Sequence, residues 1–89
     1  MDMTFDPAKD AANTRKHGVS LALAAQLDWD SALIWRDARS SYGEDRWGAL
    51  ALWDERLYFV AFTERANGRR IISLRKANRR EVRRYVSEE

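Results

Sequence analysis

The stretch that decides the fold is RWGALALWDERLYFVAFT, residues 46–63. Residues 46–53 are mostly apolar and predict a strand, in which successive side chains alternate between faces and Trp47 and Leu50 lie on opposite faces. A second apolar run, residues 57–63, predicts a second strand, and the polar residues between the two runs predict a turn. This stretch therefore predicts an antiparallel pair of strands.

Two further strands are predicted on either side of this pair. Residues 32–37 have the pattern of a strand, and residues 40–43 that of a loop. The tripeptide Ala-Asn-Gly at 66–68 is the strongest turn signal, because Asn and Gly tolerate positive φ. It precedes a strand over residues 69–75. Plain alternation there places Ile72 and Leu74 on one face and Ile71, Ser73 and Arg75 on the other.

Capping residues mark two helices before the strands. Asp6 followed by proline predicts the start of a helix over residues 7–17, because the missing N–H of proline costs nothing there. Gly18 is placed to end this helix. Ser20 is placed to cap a short second helix over residues 21–27.

The C-terminal segment also predicts a helix. Asn78 and Glu81 match the N-cap and N3 positions of a capping box, which starts a helix at Arg79. Val82 and Tyr85 then lie on an apolar stripe opposite arginines. The predicted order is two N-terminal helices, a four-stranded antiparallel sheet and a C-terminal helix. We therefore expect an α+β fold with the helices on one face of the sheet, in a single domain over residues 1–89.

Composition excludes several kinds of site. The chain has no cysteine, which removes disulfides, thiolate metal sites and cysteine nucleophiles. His17 is the single histidine, so a multi-histidine metal site is impossible, and we expect no metal and no other cofactor. Apolar runs such as residues 57–62 are too short to cross a bilayer, and the first residues lack the features of a signal peptide. We expect a cytoplasmic protein that binds no membrane.

Basic residues are concentrated near the C-terminus. Between Arg65 and Arg84 there are nine basic residues and a single acidic one, Glu81, whereas the net charge of the whole chain is only +2. Nearly all of these cations are arginine, whose planar guanidinium suits bidentate contact with phosphate. The window indicates a surface for phosphate or for an acidic partner protein, or else a solvated helix face.

Four ordered sequence blocks carry a resemblance to a known family. They are KHGVS at 16–20, YGEDR at 42–46, TER at 63–65 and RIISLRKA at 70–77. Together with FDP at 5–7, Asn13, Glu81 and Tyr85, they make the chain resemble the BrnT toxins over nearly its whole length. Leu74 stands where the family usually has alanine, and Phe62 where it often has tyrosine. Neither difference removes a charged position.

The resemblance implies the toxin of a type II toxin–antitoxin pair, with a fold related to the RelE ribonucleases. Such a toxin cleaves RNA and arrests growth by blocking translation. A cognate BrnA-like antitoxin with a ribbon-helix-helix DNA-binding part neutralises it. Operator DNA is then bound only through the antitoxin complex, which represses its own operon.

Cleavage of RNA without a metal requires a base for the ribose 2′-OH, cationic donors for the phosphorane and an acid for the leaving 5′-oxygen. Arg46 starts the second strand, and antiparallel pairing sets it beside Thr63 and Arg65. We expect Arg46 and Arg65 to clamp phosphate, with Glu44 as base or orienting group. The full set of predicted catalytic residues is Arg46, Arg65, Glu44, His17, Arg75 and Tyr85. The predicted RNA-binding residues are Lys16, Arg69, Arg70, Lys76, Arg79, Arg80 and Arg83.

Several alternatives remain open at the level of sequence. His17 can be a helix cap, Glu44 a surface ion-pair partner and Tyr85 a core residue. One exposed tryptophan can stack an RNA base, although the sequence does not say which. Asp37 and Glu64 are further candidate bases, and Tyr42 is a further hydrogen-bond donor. Two other functions compete: a non-catalytic regulator that binds nucleic acid, and a module that docks an acidic partner.

Overall fold

A computed structural model describes residues 2–37 and 44–88. The predicted loop at 40–43, with Tyr42, lies outside these residues. The strands are β1 (Met3–Thr4), β2 (Asp28–Asp37), β3 (Arg46–Trp53), β4 (Arg56–Arg65) and β5 (Gly68–Lys76). The α-helices are α1 (Pro7–His17) and α2 (Arg79–Glu88), and a 3-10 helix spans Leu21–Gln26. Neither α-helix has the length and apolar character needed to cross a bilayer.

The sheet has five strands in the order β1-β5-β4-β3-β2. Strands β2 to β5 pair antiparallel, whereas β1 runs parallel to β5, with Met3 opposite Arg69 and Thr4 opposite Arg70. The predicted four-stranded antiparallel sheet is therefore wrong: the sheet is five-stranded and mixed. Strand β1 has only two residues, too few for any alternation of apolar side chains, and pairs through its backbone.

The predicted caps are confirmed, but the second helix differs in type. The Asp6 carboxylate accepts a hydrogen bond from the N–H of Ala8 at 3.0 Å, and Gly18 ends α1 with φ 74°. The Ser20 hydroxyl caps the next helix, which is a short 3-10 helix rather than an α-helix. Its bonds span three residues, as from the N–H of Leu27 to the carbonyl of Ala24.

Helices pack against both faces of the sheet. On one face the 3-10 helix packs Leu21 against Val60 and Phe62, and all three are fully buried. On the other face Tyr85 of α2 packs against Leu50 and neighbouring apolar residues. The prediction that all helices lie on one face is wrong. Strands β3 and β4 carry apolar side chains on both faces, so each face requires its own cover.

A β-bulge in β5 exchanges the faces of the sheet on which the side chains of its first half lie. Ser73 pairs with Ala61 and Ile71 pairs with Phe62, which leaves Ile72 as an extra residue without an opposite partner. Ile71 consequently joins Leu74 in the core beneath the 3-10 helix. The plain alternation predicted for this strand is therefore wrong.

The amide of Asn13 closes the free edge of β5 beyond β1. Its Nδ2 donates to the carbonyl of Leu74 at 2.8 Å, and its Oδ1 accepts from the Leu74 N–H at 3.1 Å. Nδ2 also donates to the carbonyl of Val19 at 2.9 Å. The side chain thus pairs with the strand as a neighbouring peptide group would, and it fixes α1 against the sheet.

Replacing Asn13 by alanine should lower the free energy of unfolding by about 3 kcal/mol, because it leaves the buried N–H and C=O of Leu74 without partners. Urea denaturation measures this change. The matched control is Thr14→Ala on the same helix, where we expect a change within about 0.5 kcal/mol. Equal effects of the two substitutions would contradict this role for Asn13.

Helix α2 is tied to β5 through the carboxylate of Glu81. Arg75 donates to its two oxygens at 2.8 and 2.9 Å, and the backbone N–H of Asn78 donates at 2.9 Å. The Asn78 side chain accepts in return from the N–H of Glu81, which confirms the predicted capping box. Burial raises the pKa of Glu81, but the hydrogen bonds from Arg75 and Asn78 and the charges of Arg75 and Arg80 outweigh it, so this pKa is lowered.

The lowered pKa of Glu81 predicts a pH-dependent contribution to stability. The contribution is complete above the ordinary glutamate pKa of about 4.3 and is lost as pH falls through the lower folded-state value. Glu81→Gln should therefore lower the melting temperature at pH 7, and the difference from the wild type should shrink towards pH 2. Thermal melts across this range measure it; a constant difference would contradict the assignment.

Candidate active site

Three polar residues form a row across the sheet, which we call the arginine row: Arg46 on β3, Thr63 on β4 and Arg70 on β5. Arg46 pairs with Thr63, and Thr63 pairs with Arg70. Directly opposite residues in antiparallel strands have Cβ atoms about 5 Å apart, so the side chains of the two arginines begin on either side of that of Thr63. Asp37 of β2 pairs with Arg46 and ends the row.

A small pocket of about 110 Å³ opens around the arginine row. This basic pocket is lined by Lys9, Glu44, Arg46, Thr63, Arg65, Arg70, Ile71 and Ile72. Four of these side chains are cationic, and one, Glu44, is a carboxylate. Arg65 donates from Nη2 to Oε1 of Glu44 at 2.9 Å. The pocket thus combines an excess of positive charge with a single carboxylate.

The hydroxyl of Thr63 is the distinctive group in the basic pocket. Thr63 is only 3% exposed, and its Oγ1 has no hydrogen-bond partner among the residues that the structure describes. A buried polar group without a partner costs roughly 1–3 kcal/mol. Because Oγ1 is buried, a ligand oxygen reaches it only where a neighbouring side chain moves aside, and a hydrogen bond accepted there removes that cost. Together with the surrounding cations, the hydroxyl fits a phosphate group.

A second pocket of about 240 Å³ adjoins the basic pocket. Lys9 and Ile72 line both pockets, and Lys16 and His17 line only the second one. His17 is half-buried at the end of α1. The structure therefore brings His17 and Lys16 beside the basic pocket without placing them in it.

Comparison with known protein families agrees with these observations. The model of the family described as ribonuclease toxin, BrnT, of type II toxin–antitoxin systems matches residues 5–81 of the 89-residue chain. The chain belongs to the BrnT family. No curated protein matches it at a significant level. As a BrnT-family toxin it acts as a ribonuclease, and the type II system implies an RNA substrate and a protein antitoxin as partner.

The basic pocket contains several residues that the sequence predicted for this BrnT-family protein. Arg46, Arg65 and Glu44 were predicted to lie together, and all three line it. The predicted pairing of Arg46 with Thr63 is confirmed by the strand register. Arg70, predicted to bind RNA, also lines the pocket.

Arg75 and Tyr85, two predicted catalytic residues, lie elsewhere. Arg75 is paired with Glu81, and its guanidinium carbon lies 4.6 Å from the ring centroid of Phe59. Tyr85 is 6% exposed, and its hydroxyl donates to the carbonyl of Ser31 at 3.0 Å. Both residues connect α2 to the sheet, which accounts for their geometry without a ligand.

Arg69 lies on the opposite face of the sheet from the basic pocket. Its guanidinium carbon is 4.6 Å from the Trp29 ring and 4.8 Å from the Phe62 ring, and its Nε donates to Glu64 at 2.9 Å. With 14% of its side chain exposed, it packs into the structure. The remaining predicted RNA-binding residues are exposed at the end of β5 and on α2; they are Lys76, Arg79, Arg80 and Arg83.

Sequence reasoning missed two polar residues that line the basic pocket. Lys9 comes from α1, and nothing in the sequence fixes how that helix lies on the sheet. Thr63 was recognised as a neighbour of Arg46 but not as a ligand group. The sequence does contain a signal for Thr63, because alternation along β4 places it on the face opposite Phe62, beside Arg46.

Thr63→Val keeps the shape of the side chain and removes the hydroxyl. Since Oγ1 has no protein partner among the described residues, the free energy of unfolding should stay unchanged or rise by about 1 kcal/mol. Affinity for RNA should fall about tenfold, because a hydrogen bond to a charged phosphate is lost. Thr63→Ser keeps the hydroxyl and should bind as the wild type does. Unchanged affinity for RNA in Thr63→Val would show that the hydroxyl does not bind the ligand.

Proposed function

We propose that the basic pocket binds the scissile phosphate of RNA and cleaves the chain without a metal ion. The observation that carries this proposal is the arginine row, in which Arg46 and Arg70 flank Thr63, whose hydroxyl has no partner within residues 2–37 and 44–88. Arg65 and Lys9 complete the cationic lining. Developing negative charge on a phosphorane is stabilised by donors that are already in position, which is what such a pocket supplies.

The proposed reaction is an internal transesterification. The ribose 2′-oxygen attacks the adjacent phosphorus, and the bond from phosphorus to the 5′-oxygen breaks. The products are a 2′,3′-cyclic phosphate and a 5′-hydroxyl end. The 2′-OH proton passes to Glu44, and the leaving 5′-oxygen takes a proton from the Lys9 ammonium. Arg46, Arg65 and Arg70 stabilise the phosphorane.

Glu44 is proposed as the base in preference to His17. Glu44 lines the basic pocket and accepts a hydrogen bond from Arg65, whereas His17 lines the adjoining pocket. A base must reach the 2′-OH directly or through one water, which favours the group inside the pocket. Glu44→Gln should therefore reduce cleavage more than His17→Gln, and the reverse order would assign the base to His17.

The biological consequence proposed is arrest of translation in the cytoplasm through loss of RNA. Neutralisation is assigned to a BrnA-like ribbon-helix-helix antitoxin, and operator DNA is bound only in the complex with that antitoxin. These assignments are supported by membership of the BrnT family.

Arg46→Ala and Arg65→Ala should each reduce RNA cleavage roughly 100-fold or more, because each removes a donor to the transition state. The assay incubates the purified toxin, free of antitoxin, with total RNA in EDTA, and growth after induction without antitoxin gives the cellular readout. Arg65 is exposed and Arg46 is half-buried, so the melting temperature of each variant is measured to show that it remains folded.

The matched control is Arg56→Ala, at the opposite end of the strand that carries Arg65. It removes the same charge far from the pocket and should leave cleavage unchanged. Equal losses in all three variants would indicate a general charge effect. RNA that stays intact but tightly bound by the wild type would instead favour a non-catalytic nucleic-acid-binding module.

A further inference from the structure

A shallow row of small residues lies beside the arginine row on the same face of the sheet. Gly48 pairs with Ala61, and Ala61 pairs with Ser73. Gly48 and Ala61 lie two residues from Arg46 and Thr63, whereas Ser73 lies three residues from Arg70 because of the bulge. Two residues along a strand correspond to about 7 Å. A base attached to a phosphate in the basic pocket can reach across this distance. The small side chains of Ala61 and Ser73 leave the space above β4 and β5 open for it.

Trp35 borders this space at its β2 end. It pairs with Gly48, and a Cβ atom built on Gly48 would lie 2.6 Å from Cζ2 of Trp35. The indole therefore lies directly on the backbone of Gly48, and only glycine leaves room for it there. The Phe59 ring lies 5.9 Å from the indole, at an angle of 36°. These contacts hold the ring in one position.

Arg84 of α2 covers the indole. Its guanidinium carbon lies 4.2 Å from the centroid of the Trp35 ring, which is the geometry of a cation–π stack. The two groups line a pocket of about 460 Å³, within the range of ligand pockets. The other residues that line it are Phe59, Arg75, Asn78, Arg80 and Glu81. RNA bases stack on aromatic rings and on the planes of arginine guanidinium groups alike.

The other three tryptophans lie elsewhere. Trp29 packs edge-on against Phe62 on the opposite face and donates from Nε1 to the carbonyl of Ala24. Trp47 packs against the core on that same opposite face. Trp53 is 40% exposed, but it ends the strand that Arg46 begins, roughly 23 Å away at 3.3 Å per residue.

We infer that Trp35 and Arg84 form a stacking platform for an RNA base next to the phosphate held in the basic pocket. This inference rests on the proposed function, because it takes the phosphate in the basic pocket as its starting point. Stacking tolerates any base, so the platform fixes the position of the nucleotide and adds affinity with little sequence selectivity. Single-stranded RNA with unstacked bases is the ligand that fits it.

The test uses short 2′-O-methyl RNA oligonucleotides, which bind but lack the 2′-OH needed for cleavage. One set carries all bases, and in the other set a single abasic residue is moved through each position in turn. Fluorescence anisotropy gives the dissociation constants. For the wild type, one abasic position should weaken binding at least fivefold, in line with the cost of losing a stacked base.

Arg84→Lys keeps the charge but loses the planar group, and Trp35→Phe keeps a smaller ring in the same place. Both variants should reduce the difference between intact and abasic oligonucleotides to below twofold. The matched control is Arg56→Lys, an exposed arginine at the far end of β4, which should keep the full difference. Addition of the intact oligonucleotide should also quench tryptophan fluorescence in the wild type and not in Trp35→Phe.

Two results would overturn the platform. In the first, no abasic position weakens binding by the wild type, or Arg84→Lys behaves as Arg56→Lys does. If the same preparation cleaves RNA in an Arg46-dependent way, the proposed function survives and only the platform is wrong. In the second, the oligonucleotides do not bind and RNA stays intact, which removes the proposed function and the platform together.

Discussion

The bulge at Ile72 is the feature on which the candidate active site depends. With plain alternation, Arg70 would lie on the face covered by the 3-10 helix, and Ile71 would lie on the face of α2. The extra residue exchanges them, so that Ile71 enters the core and Arg70 lies opposite Thr63. One inserted residue thus improves the core and completes the cationic pocket. Bulges next to active sites commonly redirect a side chain in this way.

The two faces of the sheet differ in how completely they are covered and in the residues that they expose. The face beneath the 3-10 helix is a closed apolar core, and even Arg69 is packed there between aromatic rings. The other face is only partly covered by α2, which is anchored through Tyr85 and the pair of Arg75 with Glu81. Its uncovered part carries the basic pocket and, beside it, Trp35. An open, cationic and partly aromatic surface of this kind suits single-stranded RNA.

Much of the fold could be predicted from sequence, because caps, turns and alternating apolar residues are local signals. The hairpin of β3 and β4 was predictable in register, which is why Arg46 could be set beside Thr63. The two-residue strand β1 carries no periodic signal. The position of the bulge at Ile72 depends on the packing of Ile71 in the core, which the local sequence does not show. Lys9 reaches the pocket through the docking of α1, a tertiary contact that no local pattern records. The lining of the basic pocket was therefore predicted for Glu44, Arg46, Arg65 and Arg70 and was missed for Lys9 and Thr63.

The most direct measurement is a crystal structure of the toxin with a short 2′-O-methyl RNA, which resists cleavage because the attacking hydroxyl is blocked. We expect one phosphate in the basic pocket, bound by Arg46, Arg65 and Arg70, with one of its oxygens accepting a hydrogen bond from Oγ1 of Thr63. A phosphate backbone that runs along the arginines of α2 and leaves the basic pocket empty would contradict the assignment of the active site.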